Sequence, residues 1–277
     1  MKQLLIILLV TVVVYSCKKE PQLSIDKDRV YFTNNDISET IRISNDGDIE
    51  LEWNISTDIL WLEQDYLSGK VSGKSNTTIT LNAIKYMEPG VYSSSVILTS
   101  NGGDRNINAE MDLDFKPGIF HGVGLENLNI NDSFELVTNK YGSPDKITKT
   151  FIEELHIYEH IVEYFSSGLG FYFYTEDDKL NLWDPVVAIG ILDPFNEVTT
   201  HNIGITTPMK YVEYCYGKPD DILSYDDIDV YIYPSLGIDF GIYQTKVGII
   251  WVYSPYDYRK VKQIWNHGSV SPTSLIR

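Results

Sequence analysis

INDSFELVTNKYGSPD at 130–145 and ITTPMKYVEYCYGKPD at 205–220 are two versions of one pattern, 75 positions apart. Each carries its own start signal. Asp132 and Thr207 fall at the expected N-cap, where a side-chain oxygen accepts an otherwise unpaired backbone N–H; Glu135 stands at the capping-box position and Pro208 at the first helical position. Each also carries a stop signal: Gly142 and Gly217 suit the left-handed backbone that follows a helix, and Pro144 and Pro219 prevent continuation. Between them Phe134, Val137 and Tyr141, and likewise Met209, Val212 and Tyr216, recur at i, i+3, i+7. That spacing gives each helix one apolar stripe, which must lie against a sheet.

The strands repeat as well. Tyr164–Phe173 aligns with Tyr231–Phe240 at an offset of 67, and Val186–Leu192 and Val247–Val252 close the two copies as apolar strands. Residues 117–277, opening at Pro117-Gly118, therefore read as a tandem α+β domain with copies at about 119–195 and 196–260. Each copy is a helix with an antiparallel hairpin, the two sheets being joined or packed side by side. A short capped helix ending in Tyr-Gly-x-Pro-Asp before antiparallel strands resembles small lipoproteins of outer-membrane assembly and the tandem units of β-lactamase inhibitory proteins. That resemblance implies a body that binds proteins and catalyses nothing.

Upstream, residues 23–116 read entirely as strand. Alternation is clear in Thr40-Ile41-Arg42-Ile43-Ser44 and from Thr77 to Leu81, and the breaks are turn chemistry at Asn45-Asp46-Gly47-Asp48, Ser68-Gly69, Glu88-Pro89-Gly90 and Asn101-Gly102-Gly103. About seven short strands without a helical period argue for an immunoglobulin-like sandwich held by packing around Trp53, Trp61 and Leu62. The whole chain is thus mainly β with α+β. The succession Trp61-Leu62, Ser68-Gly69, Thr77-Ile79-Leu81, Pro89-Gly90-Val91-Tyr92 and Val96 to Gly103 resembles the BACON sandwich modules of Bacteroidetes. It implies an exported, glycan-handling setting, in which the module binds carbohydrate or serves as a spacer.

MKQLLIILLVTVVVYSC opens the chain: a lysine, an apolar run from Leu4 to Val14, and Ser16 before Cys17. Spanning a ~30 Å hydrocarbon core takes about 20 apolar residues, so the run reads as an export signal over 1–16. It resembles a bacterial lipoprotein signal, which implies diacylglycerol on Cys17, cleavage before it, and a tether over 17–22. A plain signal peptide cut near Ser16 is the other reading. Stable attachment takes two or more acyl chains, each buried methylene contributing about 0.8 kcal/mol. The expected address is the outer membrane of the cell envelope.

Composition narrows the partners. The net charge is −17, spread along the chain, which repels nucleic acid and anionic headgroups. Cys215 is the only other cysteine, so a lipidated Cys17 leaves no disulfide framework.

Candidate chemistry is sparse. His156-Ile157-Tyr158-Glu159-His160 spells H-x-x-E-H, which on a helix places two imidazoles on one face beside a general base. Here β-formers follow, and exposed strand positions are the expected setting; a zinc hydrolase on His156 and His160 is the second alternative. Cys215, on the flank of the second stripe, reads as a half-buried thiol rather than a nucleophile. Asp177-Asp178 and Asp226-Asp227 read as solvated turns. Trp251, Tyr253, Tyr256, Tyr258 and Trp265 are candidate ligand contacts, because rings facing solvent stack on sugar faces. No cofactor motif and no metal site is expected. The reading is a lipid-anchored, non-enzymatic envelope protein whose repeat domain recognises an envelope protein or glycan, the first alternative being a carbohydrate-binding accessory of glycan uptake.

Overall fold

The computed structural model describes residues 18–57, 59–225 and 227–257. Cys17, Tyr258, Trp265 and Asp226 lie outside the described residues. The chain divides into two units, Met1–Ile84 with Val91–Asp112, and Lys85–Gly90 with Leu113–Arg277.

The first unit is built from β1 (Leu23–Ile25), β2 (Arg29–Thr33), β3 (Ser38–Asn45), β4 (Leu51–Ser56), β5 (Leu62–Gln64), β6 (Ser68–Val71), β7 (Asn76–Ala83), β8 (Gly90–Ser100) and β9 (Arg105–Leu113). They form a four-stranded sheet, β1-β3-β7-β5, and a five-stranded sheet, β2-β9-β8-β4-β6. Period-two alternation buries Leu51, Trp53 and Ile55 along β4 and Ile107, Ala109, Met111 and Leu113 along β9. This is a β-sandwich core of the expected kind. Trp61 meets Phe32 edge to face at 6.1 Å. The Trp53 indole lies over Gly69, where an added Cβ would stand 2.5 Å from Cζ2. Trp53, Trp61 and Leu62 are all buried.

The second unit begins with a small sheet of β10 (Ile119–Phe120), β11 (Gly124–Leu125) and β12 (Leu128–Asn129). The first copy follows as α1 (Phe134–Tyr141), β13 (Lys146–Ile152), β14 (Ile157–Tyr164), β15 (Leu169–Thr175) and β16 (Val186–Ile191). The second is α2 (Met209–Tyr216), β17 (Asp221–Ser224), β18 (Asp229–Tyr233), β19 (Ile238–Tyr243) and β20 (Lys246–Tyr253). One eight-stranded sheet, β13-β14-β15-β16-β20-β19-β18-β17, joins them. The order of one copy is the reverse of the other, so a pseudo-twofold relates them across the antiparallel β16–β20 seam.

That axis explains a glycine. Gly190 pairs with Gly170 and Trp251 with Asp239, so Gly190 and Trp251 are equivalent positions, and they face each other across the seam. Two indoles there would collide. A Cβ on residue 190 would already stand 3.2 Å from the Tyr172 ring and 3.6 Å from Trp251 Cδ1.

The helix stripes pack as the spacing requires. Phe134, Val137 and Val212 are buried, with Tyr141, Met209 and Tyr216 against the same core, and the strands supply Val162, Phe171, Ile189, Phe240 and Val252. In each copy a tyrosine ties the helix end to the sheet: Tyr164 Oη donates to the Gly142 carbonyl at 3.1 Å and Tyr233 Oη to Gly217 at 2.9 Å. Both rings join an aromatic triad, Tyr141/Tyr164/Phe171 and Tyr216/Tyr233/Phe240, with centroids 5.1–5.9 Å apart.

These contacts correct the strand alignment. Tyr164 matches Tyr233 and Phe171 matches Phe240, 69 positions apart rather than 67, and Gly168 and Gly237 share φ values of 65° and 67°. The caps are also shifted. Ser133, not Asp132, caps α1, its Oγ accepting from Leu136 N–H at 3.4 Å, and Pro208 stands at the α2 N-cap with no side-chain bond. Asp132 and Thr207 instead reach backwards, accepting from Asn129 N–H at 2.7 Å and Gly204 N–H at 3.0 Å. A short polar side chain serves either the turn behind it or the helix ahead, and here the turn wins in both copies.

Candidate functional site

The copies differ most where β15 meets β16 and β19 meets β20. In copy two Tyr243 pairs with Lys246, so Gln244 and Thr245 alone make the turn, at φ 47° and 70°. Two residues with positive φ define a type I′ turn, normally Asn-Gly, and a β-branched threonine there is strained. In copy one residues 176–185 make the same connection. The anchoring bond is shared: Phe134 N–H donates to the Asp184 carbonyl at 2.9 Å, as Met209 N–H donates to Thr245 at 2.9 Å. The longer connection adds a bond from Glu135 N–H to the Leu182 carbonyl at 2.7 Å and packs Leu180 against the helix-side core. A two-residue turn has no counterpart to Leu180.

At that corner copy two has a cleft of about 450 Å³, inside the ~300–1,000 Å³ range of small-molecule and side-chain pockets. Met209 at the start of α2 and the Gln244-Thr245 turn line it. Tyr225, Asp227 and Asp229, at the β17–β18 turn, line it as well, together with Tyr231 and Tyr243. Ser224 Oγ donates to Asp229 Oδ1 at 2.6 Å, and Gln244 Nε2 donates to Tyr243 Oη at 3.2 Å. Burial first, then the Glu213 and Asp229 carboxylates, push the Tyr231 phenol above its ordinary range. Neither the lining nor the strain was legible in the sequence, because both depend on which turn is short.

The spelled metal motif does not assemble. His156 sits exposed in the β13–β14 turn at φ 54°. Glu159 and His160 follow on opposite faces of β14, as period-two geometry requires. His160 is buried rather than exposed, with Nε2 2.9 Å from Thr175 Oγ1, and burial, then Lys149, lower its pKa.

Glu159 points to the face away from the helices, 1% exposed, and among the described residues neither carboxylate oxygen has a hydrogen-bond partner. Burial raises its pKa to about 7. The equivalent position in copy two is the buried Ile228. Glu163 likewise answers to Ile232, and its Oε2 lies 3.1 Å from Lys146 Nζ.

Trp251 and Tyr253 are wholly buried on that same face, which corrects their expected role as solvent-facing contacts. Trp251 Nε1 donates to Tyr172 Oη at 3.3 Å, and Tyr253 Oη donates to Asp239 Oδ1 at 2.8 Å. Tyr256 is 97% exposed. The remaining two rings of that set, Tyr258 and Trp265, fall outside the described residues, as does Cys17. Cys215 donates to the Tyr86 carbonyl at 3.2 Å, and burial pushes its thiol up to about 12, the state of an inert sulfhydryl. Asp177, Asp178 and Asp227 are exposed, Asp178 pairing with Lys149 at 3.0 Å. Trp183, unremarked in the sequence, stands 75% exposed on the copy-one connection.

No family model and no curated protein matches this chain. Among solved structures it is similar to PapD-like domain 7 of human CEP192, at 8% identity over 42% of this chain and 99% of that one, with a TM-score of 0.31. It is also similar to the CsuC–CsuE chaperone–tip adhesion subunit complex of Acinetobacter baumannii, at 11% identity over 50% of this chain and 75% of that one, TM-score 0.31. The Escherichia coli chaperone DraB matches at 9% identity over 51% and 69%, TM-score 0.29.

Proposed function

We propose that this chain is a non-enzymatic, lipid-anchored protein of the cell envelope whose sandwich carries a duplicated domain that recognises a partner. The observation that carries this reading is the cleft of copy two, opened where the sister copy has a ten-residue connection. Duplication preserved the helix stripes, the aromatic triads and the seam, which build the scaffold. It left the hairpin corner free to diverge, which is where a binding protein varies. The separation of His156, Glu159 and His160 favours recognition over hydrolysis. The leader favours attachment through Cys17, with the tether over 17–22.

The test has two arms. Mass spectrometry of the mature protein shows an acylated N-terminal Cys17, and Cys17→Ala releases the protein from washed membranes. Capture from envelope extract by the full chain retains a defined partner that Tyr243→Ala with Gln244→Ala loses at unchanged thermal midpoint. An unmodified terminus overturns the anchor, and capture indifferent to the cleft overturns the recognition site.

A further inference from the structure

We infer that the copy-two cleft takes a cationic side chain, a guanidinium or ammonium group presented by a protein partner; this rests on the recognition role proposed above. Three features converge. The described lining carries Asp227 and Asp229 and no lysine, arginine or histidine, which favours a cation over an anion. Three tyrosines, Tyr225, Tyr231 and Tyr243, also line it. A ring face is electronegative, and aromatic walls with carboxylates make a favourable setting for an organic cation, the planar guanidinium above all.

The carboxylates at positions 227 and 229 are specific to this copy, the sister copy carrying its acids Asp177, Asp178 and Asp184 on the longer connection instead. At the positions equivalent to Asp227 and Asp229, copy one has Tyr158 and His160, and that histidine is occupied with Thr175. The sister copy fills these two positions without a carboxylate, and in copy two Asp229 also accepts from Ser224 Oγ while Asp227 stands exposed at the turn. A neutral sugar would use the same rings and donate its hydroxyls to the carboxylates, so the charge dependence of binding is what separates the two ligands.

The experiment compares N-acetyl-arginine amide with N-acetyl-citrulline amide, its neutral isostere, titrated calorimetrically into the full mature chain at low salt. Arginine amide binds, and citrulline amide binds at least tenfold more weakly. Asp227→Asn with Asp229→Asn removes that difference while the melting midpoint stays unchanged. The single exposed change Asp227→Asn gives a partial loss, a check independent of Asp229's bond to Ser224. Equal binding of the two amides overturns the inference, as does arginine binding indifferent to the aspartates, or a neutral oligosaccharide bound in the cleft in place of arginine. Envelope capture separates the two levels. Arginine binding without cleft-dependent capture leaves the cation site and removes the recognition role; capture without arginine binding does the reverse.

Discussion

Glu159 and Ile228 occupy one position in two copies of the same fold, and their contrast isolates what a buried carboxyl costs. Glu159 is 1% exposed with a pKa raised from an ordinary 4.5 to about 7 by burial. The folded state therefore holds its proton more tightly than the unfolded chain does. Between those two values the native state binds more protons, so stability is greatest below the lower one, falls as pH rises through the interval, and levels off above it. The full swing is about 3 kcal/mol. Glu159→Ile, which copies the sister position, flattens that slope and is more stable than the parent at pH 8 by an amount of that order. Urea midpoints at pH 4.5, 6 and 8 measure it; parallel pH profiles for parent and variant would refute it. Gly142 works in the opposite sense. Nothing lies within 4 Å of where its Cβ would stand, yet its φ of 80° and ψ of −152° belong to a region that only glycine visits freely. Gly142→Ala is expected to cost about 1–2 kcal/mol from backbone conformation alone. A loss of under a few tenths in the denaturation midpoint energy would show the backbone relaxing instead.

The helices were the most legible elements. A stripe at i, i+3, i+7, a proline and a glycine are local signals, and the buried Phe134, Val137 and Val212 follow from them. The hairpin register was less so. Aligning Gly170 with Gly237 matched letters, whereas the chain matches Gly168 with Gly237, because the left-handed turn and the bond from Tyr to the glycine carbonyl set the register. The shared seven-residue gap, Tyr164 to Phe171 and Tyr233 to Phe240, was the signal that could have revealed it. The rings of Trp251 and Tyr253 were misplaced for a related reason. An aromatic strand looks alike whether it faces solvent or a second core, and only the sheet order shows that β20 is central. The Gln244-Thr245 turn is where an element-scale change reads out both energy and function. Replacing the pair with Asn-Gly supplies residues that accept positive φ, and the expected gain is about 1 kcal/mol. The denaturant midpoint rises while arginine amide binds less well, since Gln244 lines the cleft. A stabilised turn with undiminished binding would detach the strain from the site.

Over the whole molecule, charge governs approach. The chain carries a net charge of −17 and the cleft is itself lined by carboxylates, so a cationic segment is drawn toward the protein before it meets the tyrosines. Screening decides how far that reach extends: the Debye length is about 30 Å at 0.01 M salt, about 8 Å at 0.15 M, and about 3 Å at 1 M. At low salt the distributed carboxylates act together with Asp227 and Asp229; at high salt only the groups lining the cleft remain effective. Affinity for a tetra-arginine peptide is therefore expected to fall at least tenfold between about 0.02 M and 0.3 M sodium chloride. Most of that salt dependence should survive Asp227→Asn, because it belongs to the chain, while the residual high-salt affinity should not, because it belongs to the cleft. The two slopes, measured on parent and variant by the same titration, separate the field of the molecule from the chemistry of the site. A flat salt profile in the parent would mean that neither the acidity of the chain nor the carboxylates of the cleft contribute to binding.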